Sequence, residues 1–271
     1  MKLISICPSN TELLAYLGLI DSLIAVDDFS DWPKEVNLLP KLGPDLTIDM
    51  DLVEKLQPDL VLASLTVPGM ERNIEELEKR NIPYVIVPNP KTLREVGEGL
   101  LFVGKITNTY ERATKIYKKF TELLNTYHSL SMKVEHPKTI YWEWWAKPIF
   151  TPGASNWLTE ISRLAGGRNL FEDKLEASVK TDWEEIKRRD PDVMCIVWVG
   201  VQMEKVNPKV IYKRQGTEQL KAIKTNQIHI LEEPLFCRPS PRLLVGLNKI
   251  ASILHPQIFP ALYEKEDPLM D

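Results

Sequence analysis

At 271 residues the chain exceeds the roughly 100 to 200 that one core usually serves, and 44% apolar residues can fill two cores. Thirty-four basic against 38 acidic residues give a net charge of −4 with no basic block, so nucleic acid is not an expected partner. No apolar run approaches the ~18 residues of a membrane span; the longest, residues 58–65 and 193–201, are of strand length, and no membrane insertion is expected.

The chain opens Met1-Lys2-Leu3-Ile4-Ser5-Ile6-Cys7, directly into an apolar strand rather than an apolar leader followed by a cleavage site. It therefore reads as cytoplasmic if Met1 is the native start, and as extracytoplasmic if this is a mature exported form carrying a new Met. Cys7, Cys195 and Cys237 form an odd set, two of them in predicted strands, which favours free buried thiols over disulfides. The strand runs into Pro8-Ser9-Asn10 and then a helix ending near Gly18.

A longer unit follows and occurs twice, 133 positions apart. Asp49-Met-Asp-Leu-Val-Glu-Lys-Leu-Gln-Pro58-Asp59-Leu-Val-Leu returns as Asp182-Trp-Glu-Glu-Ile-Lys-Arg-Arg-Asp-Pro191-Asp192-Val-Met-Cys. Each copy predicts a helix capped by its first Asp, stopped because the residue before proline is pushed out of helical geometry, and followed by an apolar strand. Two α/β lobes of similar build follow from the duplication.

Between the copies, Thr92-Leu-Arg-Glu95 is a capping box predicting a helix through about Ile106, and Asn108 or Thr109 starts a longer one through about Leu130. In the second helix Tyr110, Ala113, Ile116, Tyr117, Phe120, Leu123, Leu124 and Tyr127 fall at spacings of three and four. A helix of about 20 residues spans ~30 Å, enough to cross two lobes, although packing within one lobe satisfies the same pattern. The resulting division is an N-terminal lobe over 1–104, a connecting helix over 105–136 and a C-terminal lobe over 137–271.

Past the connector, Ile149-Phe-Thr-Pro152-Gly-Ala-Ser155-Asn156 echoes the first strand-to-helix loop, so each lobe is expected to present a loop of Pro, Ser and Asn at the carboxyl end of a strand. Trp32, Trp142, Trp144, Trp145, Trp157 and Trp198 fall in or beside predicted strand ends and loops, as in pockets for bulky, partly apolar ligands. Glu143, amid three Trp, is either exposed or aimed at a partner, since burying it unpaired is costly. His128, His136, His229 and His255 are scattered without metal-ligand spacing, and there is no Gly-x-Ser-x-Gly elbow, phosphate loop or dinucleotide fingerprint. No enzyme, metal site or intrinsic cofactor is expected.

Ile4-Ser-Ile-Cys-Pro-Ser-Asn-Thr-Glu-Leu-Leu, Asp28-Phe-Ser-Asp-Trp-Pro33, Gln57-Pro-Asp-Leu-Val-Leu-Ala, Trp183-Glu-Glu-Ile, Asp190-Pro-Asp-Val and Cys237-Arg-Pro-Ser-Pro-Arg-Leu together resemble the cobalamin-binding and iron-siderophore-binding proteins of ABC importers, over nearly the whole chain. The resemblance implies an α/β fold of two similar lobes, each with a mainly parallel sheet, joined by a single long backbone helix: the helical-backbone metal receptor or chelatase-like fold of class III periplasmic binding proteins. It implies a corrinoid or chelated-iron ligand between the lobes, related to ABC import. A cytoplasmic enzyme or accessory protein of corrinoid, tetrapyrrole or metal-chelate metabolism is the alternative on the same fold.

Carried over by position, Pro8, Ser9, Asn10, Phe29 (where Tyr is usual), Trp198 and Arg238 are expected to line the cleft, with Asp45 standing where a cleft Trp would be. The aromatic reading adds Trp32, Trp142, Glu143, Trp144, Ser155 and Trp157. Arg238, its backbone fixed by Pro239 and Pro241, is expected to offer a charge-assisted hydrogen bond to the ligand. Asp51 and Glu184 occupy equivalent first-turn positions, where the helix dipole alone explains an acid. The resemblance implies a further role for the pair, docking on an ABC permease dimer.

Overall fold

The computed structural model describes residues 1–201, 203–259 and 267–270. The first sheet holds β1 (Leu3–Ser5), β2 (Leu23–Val26), β3 (Leu60–Ala63) and β4 (Tyr84–Ile86), all parallel, in the order β2-β1-β3-β4. Further along the chain come β5 (Lys138–Glu143), β6 (Trp145–Ala146), β7 (Ile149–Pro152), β8 (Gly167–Asn169), β9 (Ser178–Thr181), β10 (Val193–Ile196) and β11 (Ile228–Ile230). Four of these build a second parallel sheet, β8-β5-β10-β11, in which each strand takes the place of its counterpart in the first. Leu3-Ile-Ser5 and Val193-Met-Cys-Ile196 are buried along their whole length, as strands of a parallel sheet covered on both faces must be.

The helices are α1 (Pro8–Tyr16), α2 (Met50–Leu56), α3 (Glu71–Lys79), α4 (Leu93–Ile106), α5 (Tyr110–Ser131), α6 (Trp157–Leu164), α7 (Trp183–Arg189), α8 (Lys209–Tyr212), α9 (Lys221–Lys224), α10 (Glu233–Phe236) and α11 (Leu243–Leu254). The duplicated unit is α2-β3 and α7-β10. Asp49 and Asp182 each accept a backbone N–H in the first turn, from Leu52 and Glu185, both at 2.9 Å. Both helices stop on a left-handed residue directly before the proline, Gln57 at φ 50° and Asp190 at φ 46°. The shared Asp beyond the proline ties the new strand to its neighbour: Asp59 accepts the N–H of Lys2 at 2.7 Å, and Asp192 that of Thr139 at 2.9 Å.

The second echo resolves differently. Ile149–Pro152 is β7, in a small antiparallel sheet ordered β6-β7-β9, and the true counterpart of β1 is β5. Five residues separate β5 from β7, too few for the crossover a parallel neighbour needs but enough for an antiparallel return. The strands are also shorter than the apolar runs suggested, because residues 64–65 and 197–201 leave the sheets to form loops at their carboxyl ends.

At 22 residues α5 is about 33 Å long and packs on α4 from one side of the molecule and α6 from the other. Ala113, Ile116, Phe120 and Tyr127 are buried, whereas Tyr110, expected in the same stripe, is 54% exposed at the first turn. Close approach of α4 and α5 depends on two glycines about two turns apart on one face of α4. A Cβ on Gly97 would sit 2.9 Å from the Tyr117 ring, and one on Gly104 would sit 2.5 Å from the Ala113 Cβ. One buried cluster runs through both lobes, from Leu3 and Leu62 to Ile140 and Leu247. Hydrogen bonds from Arg112 to the Tyr16 carbonyl and from the Leu93 N–H to Glu160, both 2.8 Å, stitch the helices to the lobes.

The equivalence of the two copies is testable. Asp59→Ala and Asp192→Ala should each lower unfolding free energy by about 1 kcal/mol, the range for a charged hydrogen bond open to solvent on one side. Urea denaturation of both variants would show it; a loss confined to one of them would mean that the repeated Asp has no common role.

Candidate binding cleft

Seven of the eight parallel strands, all but β8, bring their carboxyl ends to one cleft, the usual ligand position in open α/β sheets. The first lobe contributes Cys7, Pro8 and Ser9 after β1, Asp28, Phe29 and Asp31 after β2, Thr66 and Val67 after β3, and Asn89 to Lys91 after β4. The second contributes Trp144 after β5, Ser155 to Trp157 at the start of α6, Val199 to Val201 after β10, and Glu232 to Leu235 with Cys237 and Arg238 after β11. The volume is about 1180 Å³, above the roughly 300 to 1,000 Å³ of pockets for drug-sized molecules.

Of the residues expected from sequence, Pro8, Ser9, Phe29, Trp144, Ser155, Trp157 and Arg238 line this cleft. Phe29 is 44% exposed on a pinned loop. Buried Asp27 accepts the Phe29 N–H at 2.9 Å and the Ser30 hydroxyl at 2.5 Å, while burial pushes its own pKa up to about 6. Across the cleft, Trp144 and Trp157 lie 6.4 Å apart, centroid to centroid. Trp157 donates its ring N–H to the Phe236 carbonyl at 2.8 Å; that of Trp144 is buried and has no hydrogen-bond partner among the described residues.

The others sit elsewhere. Asn10 is buried and donates to the Ala63 carbonyl at 3.0 Å, bracing the start of α1 against the end of β3. Trp32 is packed 5.4 Å from the Tyr16 ring with the Arg242 guanidinium 4.6 Å above it. Trp142 is wholly buried on the α6 face of β5, donating to Ser162 at 2.9 Å and packing 5.4 Å from Phe236. Strand alternation then turns Glu143 to the opposite face. There it is fully buried and takes Arg214 as a two-pronged partner at 2.6 and 2.9 Å, with the Tyr141 hydroxyl at 2.8 Å and the Trp198 ring N–H at 3.1 Å. Trp198 and Glu143 thus belong to the second lobe's interior rather than to the cleft. Seventy-one residues separate Glu143 from Arg214, so no local spacing announces the pair.

Arg238 reaches the cleft wall but is already committed. Its guanidinium donates to Asp31 at 2.6 Å, to Glu233 at 3.2 Å and to Glu12 at 3.3 Å. Glu12, on α1 of the first lobe, is 1% exposed; it also receives Arg242 at 2.9 Å and the Ser240 hydroxyl. Burial raises the Glu12 pKa, and the two arginines oppose that rise. Arg238 thus ties the lobes together as well as lining the cleft. Sequence reasoning missed Glu12, Asp31 and Glu233. The available signal was Arg238-Pro-Ser-Pro-Arg242 itself, because two arginines in so apolar a surrounding require acids.

Asp51 and Glu184 lie outside the cleft lining, with side chains 87% and 78% exposed, paired to Arg80 at 2.7 Å and to Lys187 at 2.8 Å. Each helix leads straight into the amino end of its strand, which places both first turns toward the carboxyl edges of the sheets. Among the described residues no cluster of three or more His, Cys, Asp or Glu could hold a metal, and no helix is long and apolar enough to cross a membrane.

Two duplicated parallel-sheet lobes closing on one cleft define a solute-binding protein, and the chain belongs to the periplasmic binding protein family, whose model matches residues 3–235. It is 26% identical over 262 residues to the Bacillus subtilis ABC transporter substrate-binding lipoprotein YvrC, covering 95% of this chain and 81% of that one. It is also 26% identical over 249 residues to the vitamin B12-binding protein of Vibrio parahaemolyticus, covering 92% and 87%. The periplasmic heme-binding protein RhuT of Roseiflexus shares the fold, with a TM-score of 0.83 at 17% identity over 94% of this chain and 98% of that one.

Arg238→Ala should destabilise the protein by about 1 to 3 kcal/mol, because it removes the ion-pair partner of Glu233 and leaves Glu12 to Arg242 and Ser240. Guanidinium denaturation is the check; an unfolding midpoint at the wild-type value would show that the network carries no stability.

Proposed function

We propose that this protein binds a corrinoid of the cobalamin type between its lobes and delivers it, outside the cytoplasm, to an ABC permease. The observation that carries the reading is the cleft of about 1180 Å³ with aromatic faces on both sides, Phe29 from one lobe and Trp144 with Trp157 from the other. A flat macrocycle gains apolar contact from both walls at once. The amino ends of α1 and α6 border the cleft at Ser9 and Asn156, a setting that suits the amide oxygens around a corrin ring. The name of the Vibrio relative supports the ligand, and that of the Bacillus relative supports the importer and the location. A ferric chelate fits the same aromatic cleft and is the second ligand of this reading. Binding is favoured over catalysis because Arg238, Asp31, Glu232 and Glu233 on the cleft wall are held in ion pairs rather than poised as acid, base or nucleophile.

Asp51 and Glu184 are the proposed permease contacts, one exposed carboxylate per lobe at equivalent positions.

Cyanocobalamin should quench tryptophan fluorescence with saturation after inner-filter correction. Phe29→Ala should weaken that binding by about 1 to 2 kcal/mol with little change in melting temperature, because Phe29 is half exposed in the free protein. Absence of a response to cobalamin, cobinamide and ferric siderophores alike would remove the ligand class.

The double variant Asp51→Lys with Glu184→Lys should keep its corrinoid affinity and lose stimulation of the permease ATPase. Full stimulation by the double variant would take these two residues out of docking.

A further inference from the structure

The charged residues of the cleft wall are unevenly matched. Six carboxylates line it, Asp28, Asp31, Asp45, Glu204, Glu232 and Glu233, against Lys91, Arg238 and Arg242. Three of the six are neutralised within the protein: Asp31 and Glu233 hold Arg238, and Glu232 holds Lys249 at 2.5 Å. Arg242 is held by Glu12. Asp28, Asp45 and Glu204 have no ion-pair partner among the described residues, and of the cations lining the cleft only Lys91 stands against them. Asp28 spends one oxygen on the Gly43 N–H at 3.0 Å and keeps the other; Asp45 is half-buried and Glu204 is exposed. The arginines that could offset these charges cannot turn to a ligand without leaving Glu12 and Glu233 buried and unpaired.

We propose that the cleft selects its ligand by charge, accepting neutral or cationic amide-bearing chelates and rejecting anionic ones of equal size, with Asp28, Asp45 and Glu204 making the selection. The proposal rests on the cleft being the ligand site. Ionised carboxylates only accept hydrogen bonds, so they suit the N–H donors of primary amides and the positive charge of a metal chelate. A ligand carboxylate brought to the same wall meets like charge with no free guanidinium to receive it, and the closer the lobes hold the ligand, the less water screens the repulsion.

The test uses ligands that differ in charge and little else, at low ionic strength. Cyanocobalamin, aquocobalamin and the monocarboxylic acid made by hydrolysing one peripheral amide of cyanocobalamin are titrated calorimetrically into the wild type and into the triple variant Asp28→Asn, Asp45→Asn, Glu204→Gln. The wild type should bind the acid on the order of tenfold more weakly than the amide, and the triple variant should bind the two within about threefold of each other. Equal wild-type affinities, or a preference unchanged in the triple variant, would overturn the charge rule while leaving the corrinoid reading intact. Should corrinoids not bind, that reading falls, and the rule is decided on ferrioxamine B, its neutral acetylated form and its anionic succinylated form. Affinity falling from cation to anion supports the rule; any other order, or no binding in either series, overturns it. If the triple variant does not fold, Glu204→Gln alone, at an exposed side chain, should recover part of the lost affinity for the anionic member, and an unchanged preference there counts against the rule.

Discussion

A carboxylate that is 1% exposed must be matched, and in this protein the matching of Glu12 organises the rest. Glu12 sits on α1, in the first lobe, and its partners Arg238, Ser240 and Arg242 come from the other end of the chain. Desolvating a carboxylate and two guanidiniums costs several kcal/mol per ion before any attraction is counted, so the network is stable only when both lobes are seated. Ordering of the lobes about the cleft and satisfaction of Glu12 are therefore one event. The helix α5, packed on α4 and α6, supplies the apolar half of the same connection, and its close approach to α4 depends on Gly97 and Gly104.

Much of the fold was legible because the sequence states it twice. Asp49 and Asp182, the prolines nine residues on and the acids after them each have a local physical job, cap, stop and strand tie, so their spacing survives divergence of the residues between. Local rules read such features well. The Ile149 echo misled because its residues do form a strand followed by a helix; whether that strand enters the parallel sheet is decided by the length of the preceding connection, a matter of topology rather than of pattern. The apolar run from Val193 overshot for a related reason, since the residues leaving the sheet remain apolar where they pack beside the cleft.

In the cleft, legibility followed chain locality. Pro8, Ser9 and Ser155 lie in loops that the strand-to-helix pattern marks, and those loops border the cleft, as does Phe29, expected from the resemblance alone. The β5 segment is a different case. Trp142, Glu143 and Trp144 are consecutive, yet pleating sends the first to the α6 face and the second to the opposite interior, while the third leaves the strand for the cleft. Composition marks the aromatic cluster, but not the phase in which its side chains leave the strand. Buried ion pairs were the least legible feature, because Glu143 with Arg214 and Glu12 with Arg238 are joined across 71 and 226 residues.

The same long-range pairs govern what the cleft can offer chemically. An arginine beside a cavity invites the reading of an anion anchor, but a guanidinium that already holds three carboxylates gains little from a fourth, and moving it would orphan buried acids. Charge committed to holding the lobes together is thus withdrawn from recognition. What remains for a ligand is the uncommitted part of the wall: aromatic faces, the helix starts and the carboxylates of Asp28, Asp45 and Glu204. A residue's proximity to the cavity sets whether it can touch a ligand; its existing obligations set whether it can act on one.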